Sequence, residues 1–122
     1  MCGITGYLSF KGSEIKRPTL EAMTDAISHR GPDDQGCLLY DKSSGGFAVF
    51  RKEDASQLQK GQVGLGHRRL SIIDLSENGW QPMISANKQL AISFNGEIYN
   101  YIELKNELKK KGVNFKTKSD SE

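Results

Sequence analysis

The chain opens Met1-Cys2-Gly3-Ile4-Thr5-Gly6, and the reading of its second residue decides what kind of fold to expect behind it. Small residues follow the cysteine. Once the initiator methionine is removed, Cys2 carries a thiol and a free α-amine on one residue. Ordinary values place the thiol near about 8.5 and the α-amine near about 7.7–8.0, so the amine lies within about a unit of neutral pH and of the thiol it would deprotonate. A nucleophile paired with its own N-terminal amine is already activated. The competing reading is a small apolar residue that packs at position two by chance, and two residues alone do not displace it.

Length and composition narrow the field. A chain of 122 residues suits one domain with its own core. Hydrophobic residues make up 36 %, and seventeen basic against fifteen acidic side chains leave a net charge of +2. No strong field therefore advertises nucleic acid or an anionic membrane as a partner. The run Lys109-Lys110-Lys111 reads as the solvated end of a helix. No apolar run is long enough to span a bilayer, and Met1–Phe10 lacks the form of a secretory leader. Cys2 and Cys37 form no metal-type pair, and His29 and His67 lack ligand spacing, so no metal site is expected. Reduced thiols in the cytoplasm are the default, with a Cys2–Cys37 disulfide as the alternative.

Working outward, Ile4–Phe10 reads as a strand and Lys11–Lys16 as a polar turn. A helix is expected from Pro18, with Leu20, Met23 and Ile27 at helical spacing, stopping near Ser28-His29 before Arg30-Gly31-Pro32-Asp33. Cys37–Asp41 and Gly46–Arg51 read as a hairpin across a four-residue loop. Lys52–Gln62 reads as a loop, Val63–His67 as a short strand, and Leu75–Met83 as a second loop anchored by Trp80. Leu90–Phe94 is almost continuously apolar, the pattern of a strand buried on both faces. Asn100 and Glu103 are spaced as a capping box for a helix whose buried stripe is Tyr101, Leu104 and Leu108, with Gly112 as its stop. Val113, Phe115 and Thr117 alternate as a last strand. Ser119-Asp120-Ser121-Glu122 has the S-x-x-E spacing of a helix start with no helix after it, so the chain reads as part of something longer.

Four features join Cys2 as candidates for chemistry. Asn95-Gly96 is ordinarily a hairpin signal, but Glu97-Ile98-Tyr99 and a helix follow it rather than a returning strand. A carboxamide beside an unobstructed glycine N–H can converge on an oxyanion, and losing one such donor costs roughly 3–4 kcal/mol. His67-Arg68-Arg69-Leu70-Ser71 offers a guanidinium fork for a carboxylate, against the plainer reading of a surface ion pair. Asp120 either meets an ammonium group or caps a helix. Arg30-Gly31-Pro32-Asp33 is a fourth cluster whose plain reading is a turn.

Taken together, Met1-Cys2-Gly3-Ile4-Thr5-Gly6, His29-Arg30-Gly31-Pro32-Asp33, His67-Arg68-Arg69-Leu70-Ser71-Ile72-Ile73-Asp74, Gln81-Pro82-Met83, Phe94-Asn95-Gly96-Glu97-Ile98-Tyr99-Asn100 and Ser119-Asp120-Ser121-Glu122 resemble the glutaminase domain of class II glutamine amidotransferases. The asparagine synthetase branch is the nearest resemblance. It implies an α+β fold of the N-terminal nucleophile hydrolase type, a four-layer α/β/β/α sandwich of antiparallel sheets. Residues 1–122 would then be a glutaminase domain incomplete at its C-terminal end.

The resemblance also implies roles. Cys2 matches the nucleophile and its freed amine the base, while Asn95 and the Gly96 N–H match the oxyanion hole. Arg69 matches the holder of the glutamine α-carboxylate and Asp120 the group near its α-ammonium. Glu97 and the Ile72-Ile73 backbone match further parts of the pocket, and Arg68 receives no role. Glutamine would be hydrolysed to glutamate through a Cys2 thioester, with no cofactor in this domain. The ammonia would pass to a C-terminal synthetase domain, absent here, that uses ATP and magnesium. Aspartate is the implied acceptor, with a sugar-acid carboxylate as the alternative. By itself the piece is expected to be weakly active or inactive, and to self-associate through open sheet edges as a homo-oligomer. Other readings are a non-catalytic glutamine-binding module and, much less favoured, a thiol redox protein using Cys2 and Cys37.

Overall fold

Two apolar periods, one of helix and one of strand, meet on a single antiparallel sheet. The computed structural model describes residues 1–55, 58–70 and 79–122. In chain order these form β1 (Gly3–Leu8), β2 (Ile15–Lys16), α1 (Arg17–Asp25), a 3-10 turn (Ser28–Arg30), β3 (Asp34–Asp41) and β4 (Gly46–Phe50). Then follow β5 (Lys60–Gly61), β6 (Val63–Arg69), β7 (Met83–Ile84), β8 (Ala91–Ile92) and α2 (Tyr101–Lys110). The main sheet runs β1-β6-β3-β4 and is antiparallel throughout, while β2 pairs β5 and β7 pairs β8 as short ribbons. The fold is therefore mixed α+β with antiparallel sheets.

Helix α1 starts with Pro18 in its first turn, where a missing N–H costs nothing. It buries Leu20 and Thr24 completely, against a core of Ile15, Cys37, Leu39 and Phe50 flanked by Tyr7, Met23, Ala48 and Leu58. Full burial of a Leu or Phe side chain contributes about 1.5–3 kcal/mol, so Leu20, Leu39 and Phe50 dominate this face. The helix sits low on β6 because Gly66 has no side chain: a Cβ there would lie 2.1 Å from Thr24 Oγ1. Arg17, itself buried, stacks its guanidinium 4.3 Å from the Phe50 ring centre and pairs with Glu21 at 2.8 Å. At the C-terminal end, Arg68 donates to Thr24 O at 3.0 Å and pairs with Asp25, which Lys52 also meets at 2.7 Å.

The expected hairpin forms with Asp41 opposite Gly46, and Gly45 takes a positive φ of 68° in its loop. Hydrogen bonds from Ser43 and Ser44 hold the Asp41 carboxyl well below the usual carboxylate range. Strand β3 starts three residues earlier than expected, at Asp34, and β6 runs on through Arg69. The extra pairs are Asp34 with Arg69 and Gln35 with Arg68. Lys11–Lys16 and Lys52–Gln62, read as turn and loop, each contribute a two-residue strand to the β2–β5 ribbon, too short to leave a period in the sequence.

Beyond residue 79 the sequence misleads in three places. Leu90–Phe94 is not a doubly buried strand: only Ala91–Ile92 pairs, and Leu90 is 72 % exposed. Its apolar run marks a surface that no described residue covers. Helix α2 forms, yet none of its residues is buried, and Leu104 and Leu108 are 41 % and 40 % exposed. Asn100 makes no side-chain cap bond, so the capping box does not close, though Gly112 ends the helix at φ 89° as expected. Val113–Thr117 is no strand, because the Glu122 carboxylate takes the Lys116 and Thr117 N–H groups at 2.7 Å each. Through these bonds Glu122 is tied back to the residues just before it. Among the described residues no helix is long and apolar enough to cross a membrane.

Candidate active site

Successive residues of β6 face opposite ways. Gly64, Gly66 and Arg68 look toward α1, and His67 and Arg69 look the other way. Because Gly3 lies opposite Arg68, Cys2 falls beside the end of β6, on the face of His67 and Arg69. Its Sγ accepts the Leu70 N–H at 3.3 Å and lies 3.7 Å from Leu70 O. Cys37 is on the α1 side, 3.6 Å from Thr24 Oγ1, and burial pushes its thiol up. Both cysteines are free, so the disulfide alternative is not realised.

The end of β6 is braced from outside. Gly31 lies so close to the Arg68–Arg69 peptide that a Cβ would come within 2.4 Å of the Arg68 carbonyl carbon. The Asp33 N–H donates to Arg69 O at 3.1 Å. His29-Arg30-Gly31-Pro32-Asp33 thus acts through backbone contact to fix the strand that carries Arg69. Arg68, which received no role, is a structural tie to α1.

A cavity of about 380 Å³ opens over this face, within the size range of small-molecule sites. Cys2, Arg69, Asn95, Gly96, Glu97 and Asp120 all line it, so residues up to 118 positions apart (2 to 120) share one wall. Ile72 and Ile73 lie outside the described residues. Arg69 is buried, whereas Asn95, Gly96 and Glu97 are exposed at the mouth. Asp120 is tied to the rim, where its Oδ2 accepts the Ile98 N–H at 2.8 Å. Met1 also borders the cavity.

His67 and Gln81 were quoted in motifs but given no role, and both line the cavity. His67 is 1 % exposed, with Nδ1 3.1 Å from Ser93 Oγ. Burial, and then the Arg69 charge, push its pKa down to about 4, so a neutral imidazole floors the site. The signal for it was the two-residue spacing from Arg69 on a strand. Gln81 carried no comparable signal, since its partners Phe94 and Ser121 are 13 and 40 residues away. Among the described residues no group of three His, Cys, Asp or Glu side chains is placed to hold a metal ion.

A family model described as a glutamine amidotransferase domain matches residues 1–51 and 49–122. The chain is 40 % identical over 119 residues to a putative glutamine-hydrolysing asparagine synthetase 2 of Methanocaldococcus jannaschii, covering 86 % of this chain and 20 % of that protein. It is 40 % identical over 125 residues to the glutamine-hydrolysing asparagine synthetase 1 of Bacillus subtilis, covering 100 % of this chain and 16 % of that protein. A glutamine–fructose-6-phosphate aminotransferase of Aquifex aeolicus is 31 % identical over 130 residues, covering 100 % of this chain and 22 % of its own length. The chain therefore spans about a fifth of the length of these relatives. No solved structure matches it.

Proposed function

Because the chain belongs to the class II glutamine amidotransferase family, we propose that it hydrolyses glutamine to glutamate and ammonia, with Cys2 as the nucleophile. The observation that carries this reading is the meeting of Cys2, Arg69, Asn95, Gly96, Glu97 and Asp120 around one cavity. With Met1 removed, the Cys2 amine takes the thiol proton and the sulfur attacks the side-chain amide carbon of glutamine. The Asn95 carboxamide and the Gly96 N–H hold the oxyanion that forms. The amine returns its proton to the leaving nitrogen, ammonia departs, and a thioester remains on Cys2. Water, deprotonated by the same amine, attacks the thioester, and glutamate leaves as the thiol is restored.

Arg69 binds the glutamine α-carboxylate, where a guanidinium fork gives two parallel hydrogen bonds. Asp120 and Glu97 receive the ammonium end, and the Ile72-Ile73 backbone closes the pocket. The finer fold in this proposal is the four-layer α/β/β/α sandwich, whose second sheet would cover the exposed apolar side chains of β1 and β8. The ammonia goes to a synthetase domain using ATP and magnesium, with aspartate as the acceptor, in keeping with the names of two of the relatives.

The test uses the full-length protein. Intact mass should show Met1 removed, glutamate release should require Cys2, and Cys2→Ala should abolish it. Full glutamate release by Cys2→Ala, or by protein that retains Met1, would overturn the mechanism.

A further inference from the structure

The turn from Phe94 to Ile98, which presents Asn95, Gly96 and Glu97 to the cavity, is held at both ends by one chain of side chains. At its start, the Phe94 N–H donates to Gln81 Oε1 at 2.6 Å. At its end, the Ile98 N–H donates to Asp120 Oδ2 at 2.8 Å. The two anchors are joined: Gln81 Nε2 donates to Ser121 Oγ at 3.3 Å, and the Ser121 hydroxyl donates to Asp120 Oδ1 at 3.3 Å. Gln81 is 6 % exposed, and its neighbour Trp80 is pinned to β3 by an indole N–H donated to Gln35 O at 2.9 Å. The turn is therefore referenced to the main sheet through Gln81.

Chemistry sets the orientation of the amide. A backbone N–H can only donate, so the Gln81 oxygen must face Phe94 and its nitrogen must face Ser121. Serine then has its own proton free for Asp120. Only a side chain with an acceptor and a donor on one plane serves both ends. Glutamate would keep the Phe94 bond but would compete with Asp120 for the serine proton, and methionine would serve neither end.

We propose that Gln81 is a positioning residue for the Asn95-Gly96 oxyanion pair, acting through Ser121 and Asp120 to hold both ends of the 94–98 turn. The inference rests on the glutaminase reading, because the turn needs sub-ångström placement only if it stabilises a transition state. Misplacing such donors by about 1 Å costs on the order of 100-fold in rate.

Glutamine hydrolysis by the full-length protein tests this with wild type, Gln81→Met, Gln81→Glu and Ser121→Ala. Gln81→Met should lower kcat by roughly 10- to 100-fold, while KM for glutamine moves by less than about threefold. Gln81→Glu should fall between wild type and Gln81→Met. Ser121→Ala should lower kcat by a few-fold, and its effect should largely vanish in the Gln81→Met background. Iodoacetamide should still alkylate Cys2 in every variant, which separates a misplaced turn from a lost nucleophile. Should Gln81→Met not fold, Ser121→Ala decides the matter. Unchanged kcat in Ser121→Ala, or a loss in KM alone, overturns the positioning role while leaving the glutaminase reading intact. A wild-type protein that releases no glutamate overturns both.

Discussion

The α1 side of the sheet and the segment from Gly79 to Glu122 are held by different forces. Under α1, Leu20, Leu39 and Phe50 are essentially sealed from water, and the contacts are apolar and shape-dependent. In the later segment Leu90, Ile92, Ile102, Leu104 and Leu108 are all exposed, and order comes from side-chain hydrogen bonds to backbone. Gln81 to Phe94, Asp120 to Ile98, Lys105 to Thr117 and Glu122 to Lys116 are its fastenings. The cavity lies where the two regimes meet. Its floor, Cys2, His67 and Arg69, belongs to the sheet, and its rim, Asn95, Gly96, Glu97 and Asp120, belongs to the tethered segment. Losses of packing should therefore appear as instability, and losses at the rim as slower chemistry.

The largest expected effect tests the packed side. Leu39→Ala should cost about 2–5 kcal/mol of stability by urea unfolding, because a sealed site cannot collapse around the missing methyls. A cost below about 1 kcal/mol would show that the core is looser than its burial implies. On the rim, Asn95→Ala should cost about 3 kcal/mol of transition-state stabilisation, read as a lower kcat, with the unfolding midpoint unchanged. An unfolding shift comparable to that of Leu39→Ala would erase the distinction.

His67, in the floor, adds a pH dependence. The unfolded chain binds its proton below about 6.5, but the folded chain only near 4. Stability should fall as the pH drops through that window, by on the order of 3 kcal/mol at most. Urea unfolding across pH 7 to about 4 should show this slope in wild type and a shallower one in His67→Asn. Identical slopes would remove His67 as the cause. The smallest effect belongs to α2: Leu104→Ala should cost less than about 1 kcal/mol, since its side chain is already substantially in water.

This division also governs what could be read from the sequence. The hairpin of β3 and β4, helix α1 and strand β6 were legible because each carries a period that burial enforces. Leu20 and Met23 of α1 meet the alternating Cys37 and Leu39 of β3 in one core. Leu90–Phe94 carries a continuous apolar run and α2 a helical stripe, and no described layer covers either, so pattern alone overstated their burial. Val113–Thr117 alternates correctly, but its Lys116 and Thr117 N–H groups go to Glu122, and its Val113 N–H to Leu108 O, bonds that propensity does not register.

Within the site, Cys2, Arg69, Asn95, Gly96, Glu97 and Asp120 were legible as residue types in motifs, and the fold brings them to one cavity. Gln81 and Ser121 stood in quoted motifs as well, but nothing there gave them a role. Their significance is a distance in space between segments 40 residues apart in the chain.

The position of Cys2 immediately before β1 has a practical consequence. Met1 already borders the cavity, so under the proposed mechanism any sequence fused ahead of it would crowd the space proposed for glutamine. A purification tag belongs at the opposite terminus. If the Cys2 amine is the base, as proposed, even one leftover residue after protease trimming would convert it into a peptide bond.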